Sequence, residues 1–113
     1  MCHSTDGGES WSPWERTEVW GHPFTTAVAP DGRVLLAYGY RRAPHGIRCL
    51  LLDPECERID MSQELVLRDD LANSDIGYPW AVTLGDGRIL VTYYANIEDG
   101  TRHIAATVVE VAG

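Results

Sequence analysis

The chain is short of cysteine, of basic charge and of long apolar runs, and each shortage closes off a class of protein. Cys2, Cys49 and Cys56 make an odd count without Cys-x-x-Cys spacing, which suits neither a disulfide framework nor a zinc site. Free thiols in a reducing compartment are the expectation. The four histidines, His3, His22, His45 and His103, lack ligand spacing such as His-x-x-x-His, so neither a metal nor any other cofactor is expected. Nine Lys and Arg side chains stand against 17 acidic ones, for a formal net charge of −8 over 113 residues. That balance argues against nucleic acid or an anionic membrane as the main partner. No stretch approaches the roughly 20 apolar residues of a membrane span. The opening MCHSTDGGES has no basic segment and no apolar run, so no secretory signal is read on this chain and a cytoplasmic location follows. A leader on a longer gene product would make it secreted or periplasmic instead. Helical periodicity is also missing, which leaves an all-β chain.

What is present begins with residues 4–11, STDGGESW, which fill every fixed place of the Asp-box pattern SxDxGxxW. Asp6 is suited to fold its carboxylate back onto nearby backbone N–H groups, with Ser4 beside it, while Gly7 and Gly8 allow positive φ in a tight turn. Trp11 supplies a large apolar plug with one N–H to satisfy. The box is a turn with an anchor and gives structure, not catalysis.

A repeat follows. FTTAVAPDGRVLLAYGY at 24–40 and WAVTLGDGRILVTYY at 80–94 share a strand, an Asp-Gly-Arg turn and a second strand, with Asp31 and Asp86 lying 55 residues apart. GIRCLLL from Gly46 then meets GTRHIAA from Gly100, matching Arg48 with Arg102. A period near 50 is in the range of propeller blades and similar repeats. LDPECERI at 52–59 reads as a degenerate second box, with Pro54 in the place of the box aspartate and Ile59 in that of the tryptophan, while Asp53, like Asp6, reads as a ligand of its hairpin turn and not as a catalyst. Alternation and turn residues predict strands near 24–29, 33–40, 46–52 and 64–68, then 79–84, 88–95 and 102–111, with an outer strand near 14–19 after the first box. Residues 1–20 are thus the box and outer strand of a preceding unit, 21–70 one full unit, and 71–113 a unit lacking its outer strand. Two such sheets leave long edges unpaired, which propellers avoid by closing a ring. Missing units of a longer chain, or self-association, would close it.

In an up-and-down four-stranded unit alternate connections fall at opposite ends. The Asp-Gly-Arg turns and boxes take one end. The other receives His22, Arg41, Arg42, His45, Asp75, Tyr78, Asn96 and Glu98, with Arg48, Arg102 and His103 close by. Arginines gathered at a pocket suit a carboxylate, because the guanidinium fork donates two parallel hydrogen bonds. Arg48 and Arg102, matched across the repeat, fit a shared structural purpose. Glu98 and Asp99 have the look of an exposed hairpin tip, and Asp75, three residues before Tyr78, either tunes that tyrosine or caps the loop, the cap being the preferred reading.

The box, together with YGYRRAPHGIRCLLLD at 38–53, SDIGYPWAVTLGDGRILVTYY at 74–94 and GTRHIAATVVEV at 100–111, resembles the C-terminal part of an Asp-box (BNR-repeat) sialidase, or neuraminidase, propeller. The resemblance spans nearly all of this chain and about two of the six blades of such enzymes. It implies hydrolysis of terminal sialic acids, or of another acidic glycan, with retention and through a tyrosine nucleophile. Tyr78 stands at the nucleophile's place, eight residues before Asp86. Arg41 or Arg42 stands at the place of an arginine that grips the substrate carboxylate, with Arg48 and His22 as further substrate-binding candidates. The family's first arginine and its acid/base aspartate belong to early blades not included in these residues. Tyr94 stands where many sialidases carry glutamate, and Pro79 where they often carry serine. The other function consistent with these departures is a non-catalytic propeller segment that binds carbohydrate or assembles with other chains.

Overall fold

The computed structural model describes residues 1–98 and 100–112, so Asp99 of the expected hairpin tip and Gly113 lie outside the described residues. Two antiparallel sheets account for the fold. The first, in the order β1-β2-β3-β4, consists of β1 (Phe24–Val28), β2 (Val34–Tyr40), β3 (Gly46–Leu52) and β4 (Leu65–Arg68). The second, in the order β5-β6-β7, consists of β5 (Gly77–Thr83), β6 (Ile89–Asn96) and β7 (Arg102–Val109). A single 3₁₀ turn at Met61–Gln63 precedes β4, and no α-helix occurs among the described residues. Every expected boundary in these seven strands falls within two residues of the observed one.

The repeat survives at atomic detail. Asp31 accepts hydrogen bonds from the Arg33 backbone N–H (3.1 Å) and Nε (2.7 Å), and Asp86 accepts the same pair from Arg88 (3.1 and 2.8 Å). Both turns need the left-handed backbone of a glycine, Gly32 at φ 90° and Gly87 at φ 87°, where a side chain is disfavoured. Each aspartate therefore orders one tight hairpin, and the strand registers follow from it.

Alternation along the strands sends Ala27, Leu35, Ala37, Ile47 and Cys49 from the first sheet against Ala81, Ile89, Val91, Tyr93 and Ala95 from the second, all buried in one core. Burial pushes the Cys49 thiol up to about 11, so it acts as a small apolar core residue. The opposite face of the first sheet holds a smaller cluster, in which Tyr38, Leu50 and Leu52 are buried under Val19, Cys56, Ile59 and Met61.

The strand expected at 14–19 does not form. Backbone pairing from this region reaches only residues 1–3, through Ser12 N–H to the His3 carbonyl (2.7 Å) and Glu15 N–H to that of Met1 (2.7 Å), and an extended segment without a second neighbour remains outside a sheet. For the same reason Trp11 is not the expected plug. Its indole N–H donates to the Gly8 carbonyl at 3.1 Å, but the residue is 61% exposed.

The box turn itself is ordered as its residue types dictate. Ser4 Oγ donates to Asp6 (2.8 Å) and accepts from Gly8 N–H (2.8 Å), while Asp6 accepts from the Ser10 N–H (2.9 Å) and hydroxyl. These donors, the Ser10 hydroxyl foremost, hold the Asp6 carboxyl at about 2. A depressed carboxylate pKa adds stability that is present above the ordinary value of about 4 and is lost as pH falls through the folded value. Carbon-13 titration of Asp6 should therefore show a midpoint near pH 2, and Ser10→Ala should move it up toward the ordinary range. An unchanged midpoint in Ser10→Ala would contradict the assignment of that hydroxyl.

The second box departs from the expected alignment. Asp53, one residue ahead of Pro54, supplies the carboxylate, accepting from Glu57 N–H (3.1 Å) and Arg58 N–H (2.8 Å). Cys56, at φ 54°, takes the left-handed place usually given to glycine.

Candidate functional site

The exit of β2 and the entry of β5 meet at one end of the molecule, where Gly39 and Gly77 face each other. A methyl group added to either glycine would lie 3.3 Å from the Cα of the other. The backbone then turns sharply. Gly77 has φ 111°, Tyr78 has φ 45°, and the β5–β6 register shifts between Gly77 and Trp80. A bulky residue held in left-handed backbone is strained, and such strain persists where surrounding structure imposes it, commonly at functional sites. The result is a Tyr78 ring turned out of the sheet, 64% exposed.

Arg41 leaves the end of β2 and lies across this junction. Its guanidinium carbon sits 5.2 Å from the Tyr78 ring centroid, and its Nε approaches the Cβ position of Gly77 at 3.9 Å. Nε and Nη2 of Arg41 are buried and have no hydrogen-bond partner among the described residues. Buried guanidinium N–H groups without an acceptor are unfavourable unless a ligand supplies one.

The other side of Tyr78 faces Tyr94 of β6, with ring centroids 5.8 Å apart. Tyr94 donates its hydroxyl to Asp75 Oδ1 at 2.7 Å, and Arg102 Nε donates to Asp75 Oδ2 at 2.6 Å. The Tyr94 hydroxyl and Arg102 together hold the Asp75 carboxyl below the usual carboxylate range. Burial, and then Asp75, push the Tyr94 phenol up. Asp75 does not cap its loop as expected; Asn73 does so by accepting from Asp75 N–H at 2.9 Å. Fully buried Asn96 pins the same loop to β6, its side-chain amide donating to Asn73 Oδ1 and to the Asp75 carbonyl, both at 2.9 Å.

The remaining candidates lie apart from this group. Arg42 stacks on Trp20, its guanidinium carbon 3.5 Å from the ring centroid, and Trp20 meets Tyr40 edge-on at 5.2 Å. Arg48 stacks on the Tyr40 ring at 3.5 Å and pairs with Glu64 at 2.8 Å, consistent with a structural role. Exposed His22 donates its backbone N–H to Gly39 and lies edge-on to Trp20, with centroids 6.4 Å apart. Of Arg41 and Arg42, equal candidates in the sequence, only Arg41 meets Tyr78. Trp20 and the Gly39–Gly77 junction escaped the sequence reading, although a tryptophan before Gly21 and a tyrosine before Arg41 were the signals available. Among the described residues, no three His, Cys, Asp or Glu side chains gather closely enough to hold a metal ion.

A crystal structure of a protein of unknown function from Dyadobacter fermentans DSM 18053 shares this architecture, with a TM-score of 0.89 at 45% sequence identity. The similarity covers 98% of this chain and 30% of that one, so the chain spans less than a third of the other's length. No protein-family model matches the chain, and no curated protein matches it.

Proposed function

We propose that the two sheets are adjacent blades of a sialidase-like β-propeller, and that the chain is a portion of a retaining, exo-α-sialidase-type glycoside hydrolase. In this reading Arg41 binds the carboxylate of a terminal sialic acid or another acidic glycan, and Tyr78 is the nucleophile. The buried, unpartnered Nε and Nη2 of Arg41 beside Tyr78 carry it. These two N–H groups match the two oxygens of a carboxylate, whereas Arg42 and Arg48 are occupied with Trp20 and Glu64. The similar solved chain adds support: 98% of 113 residues forms 30% of it, which puts it at about 370 residues, room for six units of the 55-residue repeat.

Tyr78 suits an anionic substrate, since a neutral phenol presents no charge to the carboxylate before a base removes its proton. Its oxygen would attack the anomeric carbon as the glycosidic C–O bond breaks and the leaving oxygen takes a proton from an acid. Water would then displace the tyrosine with retention. The acid is expected from outside these two sheets. A second reading, non-catalytic glycan binding, is favoured by Asp75, whose carboxylate is already engaged by Tyr94 and Arg102 and so is not free to act as a base toward Tyr78.

Titration with N-acetylneuraminic acid, followed by the NMR shift of Arg41 Nε–H, should show binding that weakens at least about tenfold for the methyl ester, as loss of a charge-assisted bidentate contact requires. Arg41→Met should abolish that binding yet raise stability by about 1 to 2 kcal/mol, because it removes buried donors without acceptors. Equal binding of acid and ester would sink the carboxylate assignment. Release from a fluorogenic sialoside by a longer chain that carries the remaining units, lost in Tyr78→Phe, separates hydrolase from lectin.

A further inference from the structure

The contact of Gly39 with Gly77 sets where the main chain of Tyr78 stands and leaves open where its ring points. No hydrogen bond engages the Tyr78 hydroxyl among the described residues, and the residue is largely exposed. An exposed ring of this kind changes rotamer within nanoseconds unless something packs on it. Two planar groups do so. The Arg41 guanidinium carbon lies 5.2 Å from the ring centroid, and the Tyr94 ring lies 5.8 Å away, tilted by 33°. Cation–π and offset aromatic contacts at these separations favour one orientation of the ring. The phenol oxygen stays free while the ring is restrained.

Tyr94 is in turn fixed at its far end. Its hydroxyl donates to Asp75 Oδ1 at 2.7 Å, Arg102 Nε donates to Asp75 Oδ2 at 2.6 Å, and the Asn96 side chain donates to the Asp75 carbonyl at 2.9 Å. A carboxylate that accepts from a phenol and a guanidinium at once, on a backbone pinned by a buried amide, has little freedom to rotate without losing a charge-assisted bond. The repeat indicates what the Tyr94 ring is for. With Asp31 matched to Asp86, Tyr94 stands in the place of Gly39, so the first sheet forms its four strands with no side chain at that position. Nor does the core require it. Tyr93 and Ala95, on either side, are buried between the sheets, whereas Tyr94 belongs to neither apolar cluster.

We propose that Tyr94 is a positioning residue for Tyr78: anchored by Asp75 and Arg102, it braces the phenol for attack on the anomeric carbon. This role rests on the reading of Tyr78 as nucleophile and extends that site to the entry of β7. The brace transfers no proton. Tyr94 commits its own hydrogen to Asp75, so a separate group must take that of Tyr78. Its contribution is geometric, and a displacement of about 1 Å at a reacting atom can cost about a hundredfold in rate.

In this chain carrying carbon-13-labelled tyrosine, the ring signals of Tyr78 report its place against Tyr94. Asp75→Ala, which releases the Tyr94 hydroxyl and leaves both tyrosines unaltered, should move those signals toward the values of a free tyrosine while buried Tyr38 keeps its own. Tyr94→Leu should move them further, and Tyr94→Phe, which retains the ring without its anchor, should fall between. Tyr78 signals unmoved by Asp75→Ala would overturn the brace, as would an equal displacement of Tyr38, the mark of a general loosening. In a longer chain that carries the remaining units, Tyr94→Leu should lower kcat on a fluorogenic sialoside at least about tenfold, with KM changed by less than about twofold and partial recovery in Tyr94→Phe. An unchanged kcat would also overturn the brace. No turnover by the unmodified longer chain would instead overturn the nucleophile assignment beneath it, which the ring signals of the two-sheet chain do not depend on, so the two failures are told apart.

Discussion

Glu64→Ala is expected to destabilise the fold by about 3 to 5 kcal/mol, the range for removing one partner of a buried ion pair, and a large share of what holds a domain of this size together. Glu64 accepts the hydroxyl of fully buried Tyr38 and pairs with Arg48 at 2.8 Å, the side chains of Arg48 and Glu64 being 17% and 14% exposed. Burial, and then Glu64, push the Tyr38 phenol far above its ordinary value, so it stays a neutral donor. Truncating Glu64 would leave a guanidinium and a phenol unsatisfied beneath the first sheet, a heavier penalty than the pair's own net contribution. The replacement Tyr38→Phe, Arg48→Met, Glu64→Leu should accordingly recover most of the loss. Urea unfolding at constant m-value measures both. A loss below about 1 kcal/mol for Glu64→Ala would place the pair with solvent-screened surface bridges.

Gly46→Ala should cost about 3 kcal/mol or more, at the upper end of overpacking. The new methyl group would stand 1.7 Å from the Arg68 carbonyl oxygen and 3.0 Å from the Asp69 Cα. Both obstacles are backbone, so no side chain can rotate away, and β4 must separate from β3. Loss of amide protection along β4, together with a lower melting temperature, is the expected signature. Gly85→Ala, with open space around its Cβ position, serves as the control and should shift stability by no more than about 0.5 kcal/mol.

Four of the seven strands, β1, β2, β5 and β6, were legible because two local signals agreed at each of them. Side chains alternate along Val34–Tyr40 and Ile89–Asn96, and an Asp-Gly-Arg turn sets the register of each hairpin. Residues 14–19 carried strand-like composition, but a strand needs neighbours on which to hydrogen-bond, and these lie beyond any local window. Asp53 was misaligned for a related reason: its turn tolerates an extra residue, with Cys56 taking the positive φ.

At the site, the end of the sheet shared by Arg41 and Tyr78 followed from strand order alone. The choice of Arg41 over Arg42 did not, because adjacent residues at a strand exit diverge and the outcome depends on what each meets. Trp20 takes Arg42, and the gap above Gly77 takes Arg41. The engagement of Asp75 with Tyr94 and Arg102 likewise depends on a loop folding back onto β6, which spacing in sequence cannot convey.

The contact between Gly39 and Gly77 governs how this rim can evolve. The two sheets meet there by main chain on main chain, so the separation of Arg41 from Tyr78 is fixed without help from any side chain of the surrounding loops. Loops 42–45 and 69–74 are thereby free to change length and chemistry, recasting which ligand is admitted while the guanidinium and phenol keep their spacing. The same contact leaves those two glycines little room for substitution, since a methyl group at either would lie 3.3 Å from the Cα of the other and press on the sheets that carry the pair.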